Sequence, residues 1–133
     1  CIAGKPGEVN YDAIPSVIYT WPEVAAVGIT EEQAKEREIA YCTGTYPFSG
    51  AGRARCMGET EGFVKIIADK ETNDILGVHM IGPHVTDMIS EAGLAMVLDA
   101  TPWEIASTIH PHPTLSEVMG EAALAVEGKA IHM

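Results

Sequence analysis

Apolar residues cluster in short stretches that are bounded by polar and turn-forming residues, and this pattern predicts β-strands. The stretches are rich in Val, Ile, Thr and aromatic residues, which favour strands. They cover residues 14–20, 24–28, 39–48, 63–68 and 75–81. The last two flank the polar run 69–74, which indicates a hairpin. Because both of its strands are apolar on both faces, we expect the sheet to be covered on both sides, by helices or by a partner.

The last third of the chain shows a different spacing, typical of helices. Over residues 85–98, apolar side chains recur every three or four positions. The same stripe returns from Leu115 to Val126, and Gly128 marks the expected end of this last helix. Two long amphipathic helices are therefore predicted.

Two shorter helices are indicated by capping boxes, in which a threonine and the residue three positions later satisfy each other's backbone amides. One box pairs Thr30 with Gln33, and we expect its helix to end at about residue 38. The other pairs Thr101 with Glu104, and Pro102 occupies the favoured first helical position. Trp103, which follows it, could anchor an interface, but we expect it in the core.

The order of these elements predicts an α+β domain with a mostly antiparallel sheet of about five strands and packed helices. Residues 1–10 are expected to be a linker entering the domain, which then spans residues 11–133. The glycine-rich stretch 50–58 is predicted to be a loop. It lacks the third glycine of a dinucleotide fingerprint, so we do not interpret it as a nucleotide site.

Composition and charge narrow the class of protein. The chain has 133 residues, of which 47% are hydrophobic and 20% charged, as in an ordinary globular domain. Its net charge of −11 argues against nucleic acid as a partner, because that interaction depends on Lys and Arg. We expect no membrane span, since no apolar run approaches the roughly 18–20 residues required.

The three cysteines, Cys1, Cys42 and Cys56, are widely spaced and form no Cys-x-x-Cys motif. We interpret them as ordinary buried or partly buried thiols in a reducing compartment, with neither a disulfide framework nor a metal site. The sequence begins at Cys1 and has no signal-peptide pattern. We interpret it as a piece of a longer polypeptide.

Candidate chemistry concentrates in the segment His110-Pro-His-Pro-Thr-Leu-Ser-Glu117, just before the last helix. Pro113 fixes its own backbone angle, biases His112 towards an extended conformation and makes a cis peptide accessible. An imidazole titrates near neutral pH, and a carboxylate on its second ring nitrogen would set its tautomer. His112 and Glu117 are therefore the candidate acid–base pair, and His110 is a flanking residue.

A second role for Glu117 remains open at this point. Thr114 and Glu117 are three positions apart and also form the pattern of a capping box for the last helix. No Cys or acid lies at ligand spacing around the two histidines, so no metal site is expected.

The His-Pro-His-Pro-Thr-Leu-Ser-Glu segment resembles the C-terminal signature of the dihydrolipoamide dehydrogenase family of flavin-dependent pyridine nucleotide–disulfide oxidoreductases. Further segments in the same order look like the third domain of that family: Tyr11–Gly28, Tyr46–Phe48 and Gly62–Lys65. Pro111, where the family more often has Ala, is a departure that stiffens the loop.

The resemblance implies an intact enzyme with an FAD domain that carries a redox disulfide, an NAD domain and this third domain as the homodimer interface. It implies that His112 deprotonates the dihydrolipoyl thiol and that Glu117 orients His112. It also places His112 and Pro113 near the flavin of the partner subunit. The 133 residues alone are expected to bind neither FAD nor NAD and to be inactive.

The resemblance further implies docking to lipoyl-bearing components of a 2-oxoacid dehydrogenase or glycine cleavage complex. The compartment would be the cytoplasm, or the mitochondrial matrix in a eukaryote. Two alternatives stay open: a non-catalytic oligomerisation or docking module, and the same domain of another disulfide reductase such as glutathione reductase. Leu115 in the His-x-His-Pro-Thr-Leu form favours the lipoamide enzyme.

Overall fold

The fold is a single five-stranded antiparallel sheet with helices packed on it, as seen in a computed structural model. The structure describes Gly4, Gly7 and residues 9–132. The predicted linker, residues 1–10, therefore lies largely outside the described residues. The predicted α+β class, the antiparallel sheet and its five strands are confirmed.

The strands lie in the order β1-β2-β5-β4-β3 across the sheet. Their bounds are β1 Ser16–Ile18, β2 Glu23–Gly28, β3 Tyr41–Pro47, β4 Phe63–Asp69 and β5 Ile75–Gly82. The helices are α1 Glu31–Glu36, α2 Gly52–Met57, α3 Val85–Val97, α4 Pro102–Ser107 and α5 Glu117–Val126. Short 3-10 turns lie at Tyr11–Ala13 and Phe48–Gly50. In the described part of the chain, no helix is both long and apolar enough to cross a bilayer.

The helix starts follow from local chemistry as predicted. Thr30 accepts from the amide of Gln33 at 3.2 Å while the Gln33 side chain accepts from the amide of Thr30 at 2.9 Å, which completes the first box. The second box forms as well, with Thr101 and Glu104 as partners and Pro102 in the first turn of α4. Each box satisfies amides that a helix start leaves without intrahelical partners.

The core lies between one face of the sheet and the helices α3 and α5. Helix α3 packs on β2 and β5, whereas α5 packs on β3 and β4. Buried side chains from the strands and both helices fill this layer: Ala25, Val27, Tyr46, Phe48, Val64, Ile66, Val78, Met80, Val85, Ile89, Ala92, Val118, Met119 and Ala122. The position of α5, and of everything attached to its start, therefore depends on packing against β3 and β4.

Helix α5 approaches β3 most closely at Gly44. A Cβ atom at this position would lie 2.3 Å from the carbonyl oxygen of Ala122 and 2.3 Å from the amide nitrogen of Val126. Only the missing side chain of glycine lets the two backbones come this close. Gly44 thus fixes the distance between helix and sheet.

The opposite face of the sheet carries a row of apolar residues. Ile18 pairs with Val24, Val24 with Ile81, and Ile81 with Phe63, so the four lie side by side on that face. Ile18 is exposed, and Phe63 retains 39% of its accessible surface. The expectation that both faces are covered is therefore not met at this row by the described residues.

Three local predictions were wrong. The stretch 50–58, predicted as a loop, contains α2, which buries Ala54 completely and ends at Gly58 in the left-handed conformation. Trp103, expected in the core, is 65% exposed. Cys56 is also exposed, whereas Cys42 is partly buried as predicted, and Cys1 lies outside the described residues.

Candidate active site

His112 lies on the loop between α4 and α5, where its imidazole faces the first residue of α5. Its Nδ1 atom lies 2.8 Å from Oε1 of Glu117. The His112–Pro113 peptide bond is cis. The two side chains that the sequence predicts as a pair are thus in direct contact, with the geometry of an imidazole–carboxylate pair.

The same carboxylate also serves the start of the helix. Oε2 of Glu117 accepts from the amide of Thr114 at 2.8 Å. The other half of the predicted capping box is absent among the described contacts, because Thr114 Oγ1 donates to the carbonyl of Pro111 at 2.7 Å and the N-cap residue is Ser116. Glu117 therefore contacts His112 with one carboxylate oxygen and the amide of Thr114 with the other.

This arrangement leaves one side of the imidazole ring available. With Nδ1–H directed at the carboxylate, the neutral ring keeps a lone pair on Nε2. The His112 side chain is 78% exposed, so this nitrogen can be reached from outside the chain. The pair is suited to taking a proton from an external group, with the charge of Glu117 stabilising the imidazolium that forms.

Two carboxyl groups on the first turns of α5 have lowered pKa values. Burial works to raise the pKa of Glu117, but hydrogen bonds from Thr114 and His112 and the charges of His112 and His110 outweigh it. For Glu121, one turn later, burial is again opposed and outweighed, here by hydrogen bonds to His132 and Ile131. Both groups are therefore held as carboxylates in the folded chain.

Acidification is expected to destabilise the chain through these two groups. Because their pKa values are lower folded than unfolded, their stabilisation is present above the ordinary carboxyl pKa, about 4.3, and is lost as the pH falls through the folded values. Urea unfolding at pH 7, 4 and 3 measures this loss. The double variant Glu117→Gln and Glu121→Gln should show a flatter pH dependence, while Glu36→Gln, at an exposed position of α1, should keep the original slope. Equal slopes in all three proteins would contradict the assignment.

His110 lies on the inner side of the same loop. Its Nε2 atom is 2.8 Å from Oε1 of Glu91 on α3, and only 10% of its side chain is exposed. The ring also rests on Gly120, where a Cβ atom would lie 3.4 Å from Nδ1 of His110. The flanking histidine thus ties the loop to α3 and α5 and faces away from external groups.

A cavity of about 360 Å³ opens beside His112. Its lining combines small or apolar residues with two imidazoles and two carboxylates: Tyr46, Gly50, Ala51, Gly52, His112, Glu117, Val118, Glu121 and His132. Sequence reasoning missed Glu121 and His132. The four-residue spacing of Glu117 and Glu121 was the available signal, since it places both on one side of α5.

The histidine and glutamate side chains of the cavity form two separate pairs. Across the described ranges, no group of three or more His, Cys, Asp and Glu side chains is arranged to hold an ion. The two imidazoles of the cavity instead each contact one carboxylate, His112 with Glu117 and His132 with Glu121.

The fold and this loop together define a class of protein. Residues 14–123 match the family described as the pyridine nucleotide-disulphide oxidoreductase dimerisation domain. The match covers most of the chain, and the chain belongs to this family.

Relatives within that family carry more specific names. The chain is 62% identical over 128 residues to dihydrolipoyl dehydrogenase of Bacillus subtilis, covering 96% of this chain and 27% of the relative. It is 52% identical over 132 residues to the mitochondrial dihydrolipoyl dehydrogenase 2 of Arabidopsis thaliana, covering 99% of this chain and 26% of the relative. The chain thus spans about a quarter of the length of these relatives.

Solved structures show the same fold in this class. LpdA from Mycobacterium tuberculosis superposes with a TM-score of 0.84 at 26% identity, over 92% of this chain and 27% of that protein. The HOCl-induced flavoprotein disulfide reductase RclA from Escherichia coli gives a TM-score of 0.80 at 28% identity, over 88% of this chain and 28% of that protein. The chain therefore has the fold of the dimerisation domain of this class, and its sequence is similar to that of dihydrolipoyl dehydrogenases.

Proposed function

We propose that this chain supplies the acid–base pair His112 and Glu117 for oxidation of a dihydrolipoyl dithiol in a dimeric, NAD-dependent dihydrolipoyl dehydrogenase. The observation that carries the proposal is the 2.8 Å contact between His112 Nδ1 and Glu117 in an imidazole that is 78% exposed. A base that points away from its own chain serves a reaction centre that another part of the protein provides.

The chemistry required of His112 is removal of a thiol proton. A thiol with a pKa of about 8.5 is mostly protonated at neutral pH, and only its thiolate attacks a disulfide sulfur. Nε2 of His112 accepts that proton, and the carboxylate of Glu117 stabilises the positive ring. The thiolate then forms a bond to one sulfur of the enzyme disulfide, whose other sulfur leaves with the electron pair of the broken bond. The second substrate thiol completes the exchange, which yields the oxidised lipoyl group and the enzyme dithiol.

The electron carriers of this reaction would be bound mainly by other parts of the protein. FAD and NAD would take the electrons from the enzyme dithiol in the intact enzyme. The exposed ring of His112 and the neighbouring exposed Pro113 fit a flavin and disulfide centre that approaches from outside the chain. These two residues would lie beside the flavin of the partner subunit.

A second copy of this chain is the proposed dimer partner, and an apolar surface next to the site supports it. Leu94 of α3 and Leu98, which directly follows α3, are both exposed and line a groove with Ile105 of α4. Ile109, directly before the His110 segment, is also exposed. Large apolar side chains left in solvent around one groove mark an interaction surface. Pairing there would bring each His112 loop close to the other subunit.

Docking to lipoyl-bearing components of a 2-oxoacid dehydrogenase or glycine cleavage complex is part of the same proposal. Its support is the identity of 62% and 52% to enzymes named dihydrolipoyl dehydrogenase. The bacterial and mitochondrial relatives fit action in the cytoplasm or in the mitochondrial matrix.

The deciding experiment characterises the polypeptide as its own source makes it. We expect a chain about four times longer than 133 residues, as the relatives' lengths imply, with a flavin absorption spectrum, dimeric sedimentation and dihydrolipoamide-dependent reduction of NAD. Reduction of glutathione disulfide without dihydrolipoamide oxidation would instead assign another disulfide reductase. A colourless chain of this length that oxidises no dithiol would favour a docking module.

A further inference from the structure

We infer that Glu121 is a positioning residue that holds residues 129–132, the post-helix segment, beside His112, and that His132 in this segment contacts the substrate and determines its specificity. The inference rests on the proposed function, because the substrate in question is the dithiol that His112 deprotonates. It assigns roles to two residues outside the acid–base pair.

Glu121 binds the post-helix segment through three contacts. Its Oε2 atom accepts from the amide of Ile131 at 2.8 Å and from the amide of His132 at 3.3 Å. Its Oε1 atom lies 2.7 Å from Nδ1 of His132. The hydroxyl of Tyr46 adds a fourth contact by donating to the carbonyl of His132 at 3.0 Å. The backbone of His132 is therefore held from two sides, by α5 and by β3.

The burial of Glu121 shows that its contacts with the post-helix segment are an integral part of the fold. Only 9% of the residue is exposed, and a buried carboxylate is costly unless hydrogen bonds compensate it. Here the compensating donors all come from the post-helix segment. Helix and segment thus form one unit, in which removal of the segment would leave a buried charge without partners.

Unlike the buried Glu121, His132 has a ring that is accessible from the cavity. Its side chain is 70% exposed and lines the cavity that also contains His112. The contact between Nδ1 and Glu121 places the proton on Nδ1 in the neutral ring, so Nε2 carries a lone pair. A lone pair at this place accepts a hydrogen bond from an N–H group of a ligand.

The rest of the lining defines the chemical class of that ligand. Gly50, Ala51 and Val118 offer a narrow apolar wall for a short aliphatic chain. The carboxylates of Glu117 and Glu121 disfavour a ligand that ends in a negative charge. A thiol-bearing aliphatic chain that ends in an amide fits all three features, with the amide N–H on Nε2 of His132. The corresponding free acid does not fit, since it lacks the N–H and carries a charge.

The kinetic test compares dihydrolipoamide with dihydrolipoic acid in the intact protein. His132→Ala should raise KM for dihydrolipoamide by about threefold to tenfold, the value of one neutral hydrogen bond, and change kcat by less than about twofold. Its preference for the amide over the acid should fall by a similar factor. His132→Gln keeps an acceptor on the side chain. Its KM for dihydrolipoamide and its preference for the amide should therefore be close to those of the unmutated protein. An unchanged KM and an unchanged preference in His132→Ala would overturn the substrate contact.

The structural test follows the post-helix segment without reference to activity. Glu121→Gln should accelerate hydrogen exchange of the Ile131 and His132 amides at least about tenfold, because it removes the charge from their acceptor. Glu36→Gln removes the same charge from an exposed residue of α1, away from this segment, and should leave that exchange unchanged. Equal exchange in both variants would overturn the positioning role. An unmutated protein that oxidises no dithiol would refute the proposed function and the substrate contact together, whereas normal oxidation with an unaffected His132→Ala would refute the contact alone.

Discussion

Replacing His112 by alanine in the intact protein is expected to lower the rate of dithiol oxidation by about 10²–10⁴-fold, the usual contribution of a general base. The imidazole is the group that takes the thiol proton, and without it the reaction depends on the small fraction of thiolate already present. The fold should persist, because the side chain is 78% exposed and the loop remains tied through His110 and Glu91.

Glu117→Gln should reduce the rate less. The glutamine side chain keeps one oxygen, which can still accept from Nδ1–H of His112 and hold its tautomer, but the acceptor for the amide of Thr114 is then lost. The charge beside the imidazolium is lost, and a hydrogen bond to a charged group contributes about 1.5–3 kcal/mol, equal to roughly tenfold to a hundredfold in rate.

Steady-state kinetics with saturating NAD, across a range of pH, measures both effects. A matched pair of substitutions provides the control: His112→Asn should be as inactive as His112→Ala, whereas His84→Asn, at the start of α3, should be fully active. Asparagine tolerates the positive φ of 55° at His84, so the control protein should fold normally. Near-normal dithiol oxidation by His112→Asn would exclude His112 as the base.

Gly44→Ala is expected to destabilise the chain by about 3 kcal/mol, at the upper end of the usual cost of overpacking. The added Cβ atom would lie 2.3 Å from backbone atoms of both Ala122 and Val126. Backbone atoms of a helix cannot rotate away as a side chain can, so α5 must move off the sheet.

Chemical unfolding of the 133-residue chain in urea measures this cost. Gly52→Ala is the matched control, because the same methyl group there meets nothing within 4 Å at the start of α2. That variant should be as stable as the parent or slightly more stable. A stability loss in Gly44→Ala no larger than in Gly52→Ala would show that α5 is not held at this contact.

Local patterns were sufficient to predict most elements of the fold. Thr30 and Thr101 predict helix starts, because each forms a capping box with the residue three positions later. The polar run 69–74 predicts the hairpin between β4 and β5. Such signals involve only residues that are close together in the chain, so they can be recognised from the sequence alone. The pair His112 and Glu117 belongs to the same category, with its partners five residues apart.

The missed features depend on contacts between distant parts of the chain. Helix α2 is short and has glycine at its first position and no side-chain cap, and burial of Ala54 in the core accounts for it. Trp103 is exposed on α4, whereas Ile105, two residues later, is buried in the core. Glu121 reads as an ordinary surface acid until residues 131–132 fold back onto it.

The apolar row on the open face of the sheet governs how the isolated domain will behave in solution. Molecules that each expose this row of Ile18, Val24, Ile81 and Phe63 attract one another through it. At neutral pH the net charge of −11 on each molecule keeps them apart. That repulsion vanishes near the isoelectric point of about 4.7. At this pH the carboxylates of Glu117 and Glu121 still hold their hydrogen-bond partners. Protein that precipitates near the isoelectric point should therefore still be folded, and dialysis back to neutral pH should redissolve it.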